Sequence, residues 1–170
     1  MTTPVLLLID VQRNMLEPPT PVADAARVGE AIADVLRQAR DAGATVIHVR
    51  NNGTDGDPDA PGTLGWELVH EPRPGEAIVD KTEPNSYAGT DLADRVPAGA
   101  PIVTIGMQSN YCVRATSLAA IQRGHAVTLV SGAHATYDED QPAADISRDV
   151  EDELRAAGVT ISSADDKLFG

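Results

Sequence analysis

The sequence of 170 residues predicts an α/β fold, an open and mostly parallel sheet with helices on both faces in a three-layer α/β/α arrangement. Two observations carry this expectation. Short apolar runs without polar alternation recur along the chain, the pattern of strands covered on both faces. Between them lie stretches with apolar residues at helical spacing, closed by glycines, and repeated strand–helix alternation builds a parallel sheet through right-handed crossovers.

Residues Val5 to Ile9 form the first such run and read as a central strand. From Pro21 to Ala42, Val22, Ala25, Ala26, Ile32, Val35, Leu36 and Ala39 recur at helical spacing, and Gly43 stands where a helix C-cap is expected. Thr45 to Val49 reads as a second strand and Ala77 to Asp80 as a third. The stretch between them, Asn51 to Gly75, has no periodicity and holds four prolines and five glycines. Loops of this length either cover a functional site or decorate the surface. Pro101 to Ile105 is a fourth strand, Asn110 to Arg123 a helix ended by Gly124, and Ala126 to Val130 a fifth strand. Pro142 suits the first turn of a last helix, on which Ile146, Val150 and Leu154 share a face before Gly158, and Val159 to Ser162 is a sixth strand. Without an internal repeat or linker, residues 1–170 are expected to form one domain.

Composition narrows the function. Hydrophobic residues make up 42% and charged residues 23%, the balance of a soluble globular protein. No apolar run approaches the roughly 20 residues of a membrane helix, and no basic leader precedes Val5, so a cytoplasmic location is expected. A net charge of −13 opposes binding to nucleic acid or anionic membranes. The single cysteine, Cys112, rules out an internal disulfide, a Cys-x-x-Cys redox pair and thiol-pair metal sites. The four histidines show no H-E-x-x-H pattern, and phosphate-loop, dinucleotide and G-x-S-x-G motifs are missing, so no metal or other cofactor is expected.

In a doubly wound sheet, ligands bind beyond the carboxyl ends of the strands. Three chemically capable residues fall there. Asp10 ends the first strand, Lys81 follows the third, and Cys112 lies in the first turn of the helix after the fourth. Each alone has an ordinary structural reading; together they point to nucleophilic catalysis. A helix N-terminus and the Lys81 charge are expected to hold the sulfur as a thiolate. Asp10 would take a proton and return it to a departing amine. Backbone N–H groups of the turn from Gly106 to Cys112 would stabilise the oxyanion. His134, read as following the fifth strand, and Trp66 and Tyr87 are candidates to contact a small-molecule substrate.

Three segments go further. Leu7-Leu8-Ile9-Asp10-Val11-Gln12, Lys81 with Asn85-Ser86-Tyr87 and Leu92, and Gly106-Met107-Gln108-Ser109-Asn110-Tyr111-Cys112-Val113 with Thr116 and Ala119 together resemble the isochorismatase-like cysteine hydrolases. The resemblance implies a Rossmann-like α/β fold, an Asp10–Lys81–Cys112 triad, a cis peptide at Met107–Gln108 and an oxyanion hole from the backbone N–H groups of Gln108 and Cys112. It adds Gln12, Met15 and Tyr111 to the candidate pocket and favours a homo-oligomer. Metal-binding nicotinamidases of this family carry Asp and His after strand two, which Asn51-Asn52-Gly53-Thr54-Asp55 does not match. Met15, Tyr87 and Gly132 also depart from residues common in the family. The activity implied is hydrolysis of a C–N bond in a small amide, carbamoyl or lactam compound. The alternatives are vinyl-ether hydrolysis of the isochorismatase type and a non-catalytic binding protein on the same scaffold.

Overall fold

A computed structural model describes residues 2–170. Its core is a six-stranded sheet of β1 (Val5–Ile9), β2 (Val46–Asn51), β3 (Ala77–Lys81), β4 (Ile102–Met107), β5 (Val127–Ala135) and β6 (Thr160–Ser163). Every pairing is parallel, in the order β3-β2-β1-β4-β5-β6. The chain reverses its direction of winding between β1 and β4, which opens a crevice beyond their carboxyl ends.

Both faces of the sheet are covered, as the unbroken apolar run in β1 requires. Val5, Leu7 and Ile9 point into one core with Ala119 and Ala120 of α4 (Arg114–Gln122) and Val150 and Leu154 of α5 (Ala143–Ala156). Leu6 and Leu8 point into the other, against Val28, Ile32, Val35, Leu36 and Ala39 of α2 (Ala25–Asp41) and Phe169 of the chain's end. Burying both rows of a strand removes any register that would place apolar groups in water.

All six expected strands form, with differences of extent. Most consequential is β5, which runs to Ala135 rather than ending at Val130. Its pairing with β4 jumps from Thr104↔Leu129 to Gly106↔His134, so β5 bulges outward through exposed Ser131 and Gly132, the glycine at φ +82°. Ser-Gly looks like a strand end in sequence, whereas the bulge lets the strand rejoin the sheet. The long second helix begins at Ala25, after Asp24 at φ +55°, rather than at Pro21. The helix expected from Asn110 opens as a wide π turn over Ser109–Val113 before continuing as α4, and Pro142 caps α5 from outside it. Two single-turn helices, α1 (Arg13–Leu16) and α3 (Leu92–Arg95), are too short to leave a periodic signal.

Gly106 holds the centre of the sheet together. It lies at φ +123°, and a Cβ there would come within 2.0 Å of the Ile9 carbonyl oxygen. Only glycine lets β4 approach β1 so closely at the crevice.

Candidate active site

The carboxyl ends of four adjacent strands deliver Lys81, Asn51, Asp10 and the π turn carrying Cys112 in one row. Lys81 and Asp10 are separated by β2, about 10 Å at two strand spacings, so only a long side chain spans the gap. The Lys81 Nζ reaches Asp10 Oδ2 at 3.2 Å and Cys112 Sγ at 3.3 Å. The three residues picked from the sequence are therefore in mutual reach. Asp10 stands in the left-handed region at φ +51°, which aspartate tolerates better than most residues, while its N–H still donates to the Val49 carbonyl at 2.9 Å. The Met107–Gln108 peptide is cis. The Gln108 carbonyl accepts from the N–H groups of Tyr111 and Val113, each at 3.2 Å, which fixes the turn around Cys112.

Burial governs the electrostatics. Asp10 and Lys81 are 1% and 3% exposed, whereas Cys112 is half-buried. Burial raises the Asp10 carboxyl above its ordinary range despite the neighbouring Lys81 charge. The Cys112 thiol is pushed up to about 12, by burial first and by the Asp10 charge second, with Lys81 offsetting only part. Burial thus opposes the expected thiolate, and the charge on Lys81 offsets only part of that opposition. Asp10 Oδ1 is buried and has no hydrogen-bond partner among the described residues.

Asn51, which the sequence reading passes over as a functional residue, takes part as well. Its Oδ1 accepts from Lys81 Nζ at 3.0 Å, and its Nδ2 donates to Asp59 Oδ2 at 2.7 Å. The available signal was positional, since Asn51 pairs in register with Lys81 at the end of the neighbouring strand.

The candidate pocket residues scatter. Gln12 is buried, but its amide donates to the Asn51 and Trp66 carbonyls at 3.0 Å each and accepts from the Asn51 N–H at 2.8 Å, so it braces the site's wall with its polar groups occupied. Trp66 donates Nε1–H to Asn52 Oδ1 at 2.7 Å, with the Arg50 guanidinium 3.7 Å from its ring centre. Met15 packs against the α2-side core and lies 3.7 Å from the Tyr137 hydroxyl. Tyr87 belongs to the opposite core, its ring under the Arg123 guanidinium at 4.2 Å, rather than to an open wall. Tyr111 is exposed beside Glu139. His134 does not follow β5 but lies within it, buried, with Nδ1 2.7 Å from the Ser109 hydroxyl and Nε2 2.9 Å from Glu151. Both ring nitrogens are thereby occupied behind the turn, because the β5 bulge carries the residue back into the sheet.

A cavity of about 460 Å³ lies between α2, β5 and α5, lined by His134, Ser147 and Glu151 among others. None of the three candidate residues Asp10, Lys81 and Cys112 lines it. Among the described residues, no three His, Cys, Asp or Glu side chains are grouped to hold a metal ion. No helix among them is long and apolar enough to cross a membrane.

Known proteins resemble the chain in both sequence and fold. Residues 4–166 match the isochorismatase domain. Two streptothricin hydrolases of Streptomyces noursei are 45% and 42% identical over 137 residues, 78% of this chain. The chain spans about half the length of these curated relatives, 54% and 50%. An isochorismatase from Pseudomonas putida KT2440 superposes with a TM-score of 0.88 at 27% identity, covering 95% of this chain and 88% of its own. With a matched domain over nearly its full length, the chain belongs to the isochorismatase family of hydrolases.

Proposed function

We propose that the protein hydrolyses a C–N bond of a small amide, carbamoyl or lactam compound through a Cys112 thioester. What supports this reading most is the buried Lys81 amine in contact with both Asp10 and Cys112, beside an Asp10 oxygen without a partner. That oxygen is a free acceptor for the thiol proton, and the raised proton affinity of Asp10 suits a group that takes and returns a proton.

The reaction proceeds in two halves. As Cys112 Sγ attacks the substrate carbonyl, its proton passes to Asp10; the C–S bond forms, and the carbonyl electron pair moves to oxygen. Backbone N–H groups of Gln108 and Cys112 receive that oxyanion, while the Lys81 charge stabilises the sulfur as its proton leaves. Collapse re-forms the carbonyl, breaks the C–N bond and sends the Asp10 proton to the departing nitrogen. Water, deprotonated by Asp10, then attacks the thioester, and the thiol regains its proton as the acid leaves. No cofactor takes part in this scheme.

The test is amine or ammonia release from a panel of primary amides, ureas, lactams and streptothricin, the compound named for the relatives. Cys112→Ala is expected to lower turnover by about a thousandfold or more without loss of fold, and intact-mass measurement should trap the acylated wild type. Turnover that persists in the alanine variant overturns the nucleophile assignment. A carbonyl product formed without amine would instead favour vinyl-ether hydrolysis, in which the thiol is a bystander.

A further inference from the structure

We propose that Asn51 is a positioning residue for the nucleophile, aiming the Lys81 amine at Cys112 and connecting it to Asp59 on the long segment between β2 and β3. The inference rests on the catalytic reading above for its role in turnover, and on the contacts alone for its effect on the sulfur.

A lysine ammonium has three hydrogens and no acceptor. Here each has a partner: Asp10 Oδ2 at 3.2 Å, Asn51 Oδ1 at 3.0 Å and Cys112 Sγ at 3.3 Å. Sulfur is the weakest acceptor of the three. The contact that matters for chemistry is therefore the one most easily surrendered, and it persists because the two stronger acceptors hold the amine in a single orientation. Asn51 itself has no freedom to turn. Its N–H and carbonyl are both held by the Gln12 amide, at 2.8 and 3.0 Å, and its side-chain Nδ2 donates to Asp59 Oδ2 at 2.7 Å.

Asp59 adds a second influence. Gly53 N–H donates to its carbonyl at 3.0 Å, which closes the turn that brings the carboxylate to Asn51. Its negative charge reaches Asp10, favouring the protonated form there. The same segment thus fixes the lysine through hydrogen bonds and biases the proton through charge. Two substitutions separate these effects, since Asp59→Asn removes the charge while its amide oxygen still accepts from Asn51.

The probe is alkylation of Cys112 by iodoacetamide in the intact protein, followed by mass as a function of pH. Asn51→Ala is expected to slow alkylation at least about fivefold at mildly alkaline pH, because the amine turns toward Asp10 and leaves the sulfur without its nearest positive charge. Asp59→Asn is expected to slow it as well, by about two- to threefold, and to shift the profile toward higher pH, because without that neighbouring charge Asp10 ionises more readily and its charge raises the thiol. A packing role alone would not move this profile, since Asp59→Asn keeps the shape and the hydrogen bond to Asn51. Rates in Asn51→Ala within twofold of the wild type would overturn the inference, and so would an Asp59→Asn profile that is unchanged or shifted toward lower pH. If Asn51→Ala does not fold, the direction of the Asp59→Asn shift decides by itself. Alkylation reads the sulfur and not amide turnover, so the two readings fail separately. Hydrolysis surviving in Cys112→Ala would defeat the nucleophile and leave the Asn51 contact standing.

Discussion

Two carboxylates sit at opposite ends of the same sheet, Asp10 buried and Glu76 half-buried, each beside a cation, and their proton affinities are shifted in opposite directions. At the amino end, Glu76 accepts from Arg40 Nε and Nη2 at 2.7 and 2.9 Å, from His48 Nε2 at 2.8 Å and from the Arg73 N–H at 3.0 Å. Although burial pushes it up, these donors win and its carboxyl is lowered to about 2. At the carboxyl end, Asp10 has one cation at 3.2 Å and an oxygen with no partner among the described residues, and burial raises it. Saturating a buried charge makes a fastener. Leaving one unsaturated makes a group that exchanges protons, which is destabilising in a fold and useful in a reaction.

The largest effect expected from this contrast is on turnover. Asp10→Asn keeps the shape and removes the proposed base, so kcat should fall by about 10²–10⁴-fold in amine-release assays. If Asp10 served only to pair Lys81, the loss would appear in thermal unfolding instead, with kcat per folded molecule retained. A smaller effect, on stability, is expected at the strand that carries the nucleophile's turn. Gly106→Ala places a methyl group 2.0 Å from the Ile9 carbonyl oxygen at a positive φ, and chemical denaturation should show a loss of about 2–4 kcal/mol. Little loss there would mean that β1 and β4 separate easily, and that the spacing of Asp10 from Cys112 is not set by their pairing.

How much of this was legible in the sequence follows from what each feature depends on. The strands declared themselves through unbroken apolar runs, and because ligands bind beyond strand ends, Asp10, Lys81 and Cys112 could be gathered before any coordinates. Asn51 was not legible. Its contact with Lys81 depends on the β2–β3 register, which a strand buried on both faces does not write into its composition. His134 was misplaced because Ser131-Gly132 marks a bulge with the same residues that mark a turn. For Tyr87, an aromatic beside a motif carries no sign of which core it packs into. The opposition to a thiolate at Cys112 was not legible either, since the sequence reveals the lysine's charge and not the depth of burial that works against it.

The Glu76 fastener sharpens the contrast by its pH dependence. A carboxyl lowered from 4.5 to about 2 contributes stability that is complete above pH 4.5 and is lost as pH falls through 2. Such a shift corresponds to about 3 kcal/mol. Glu76→Gln should therefore unfold more easily than the wild type by roughly that amount at neutral pH, while turnover per folded molecule is unchanged. As the pH drops toward 2, the two proteins should converge, because protonation makes the wild-type side chain as neutral as the glutamine. A gap that stays constant down to pH 2 would show that packing and not charge supplies the stabilisation. A change in turnover at neutral pH would show that the fastener at one end of the sheet reaches the reacting groups at the other, and the division between a structural and a chemical carboxylate would fail.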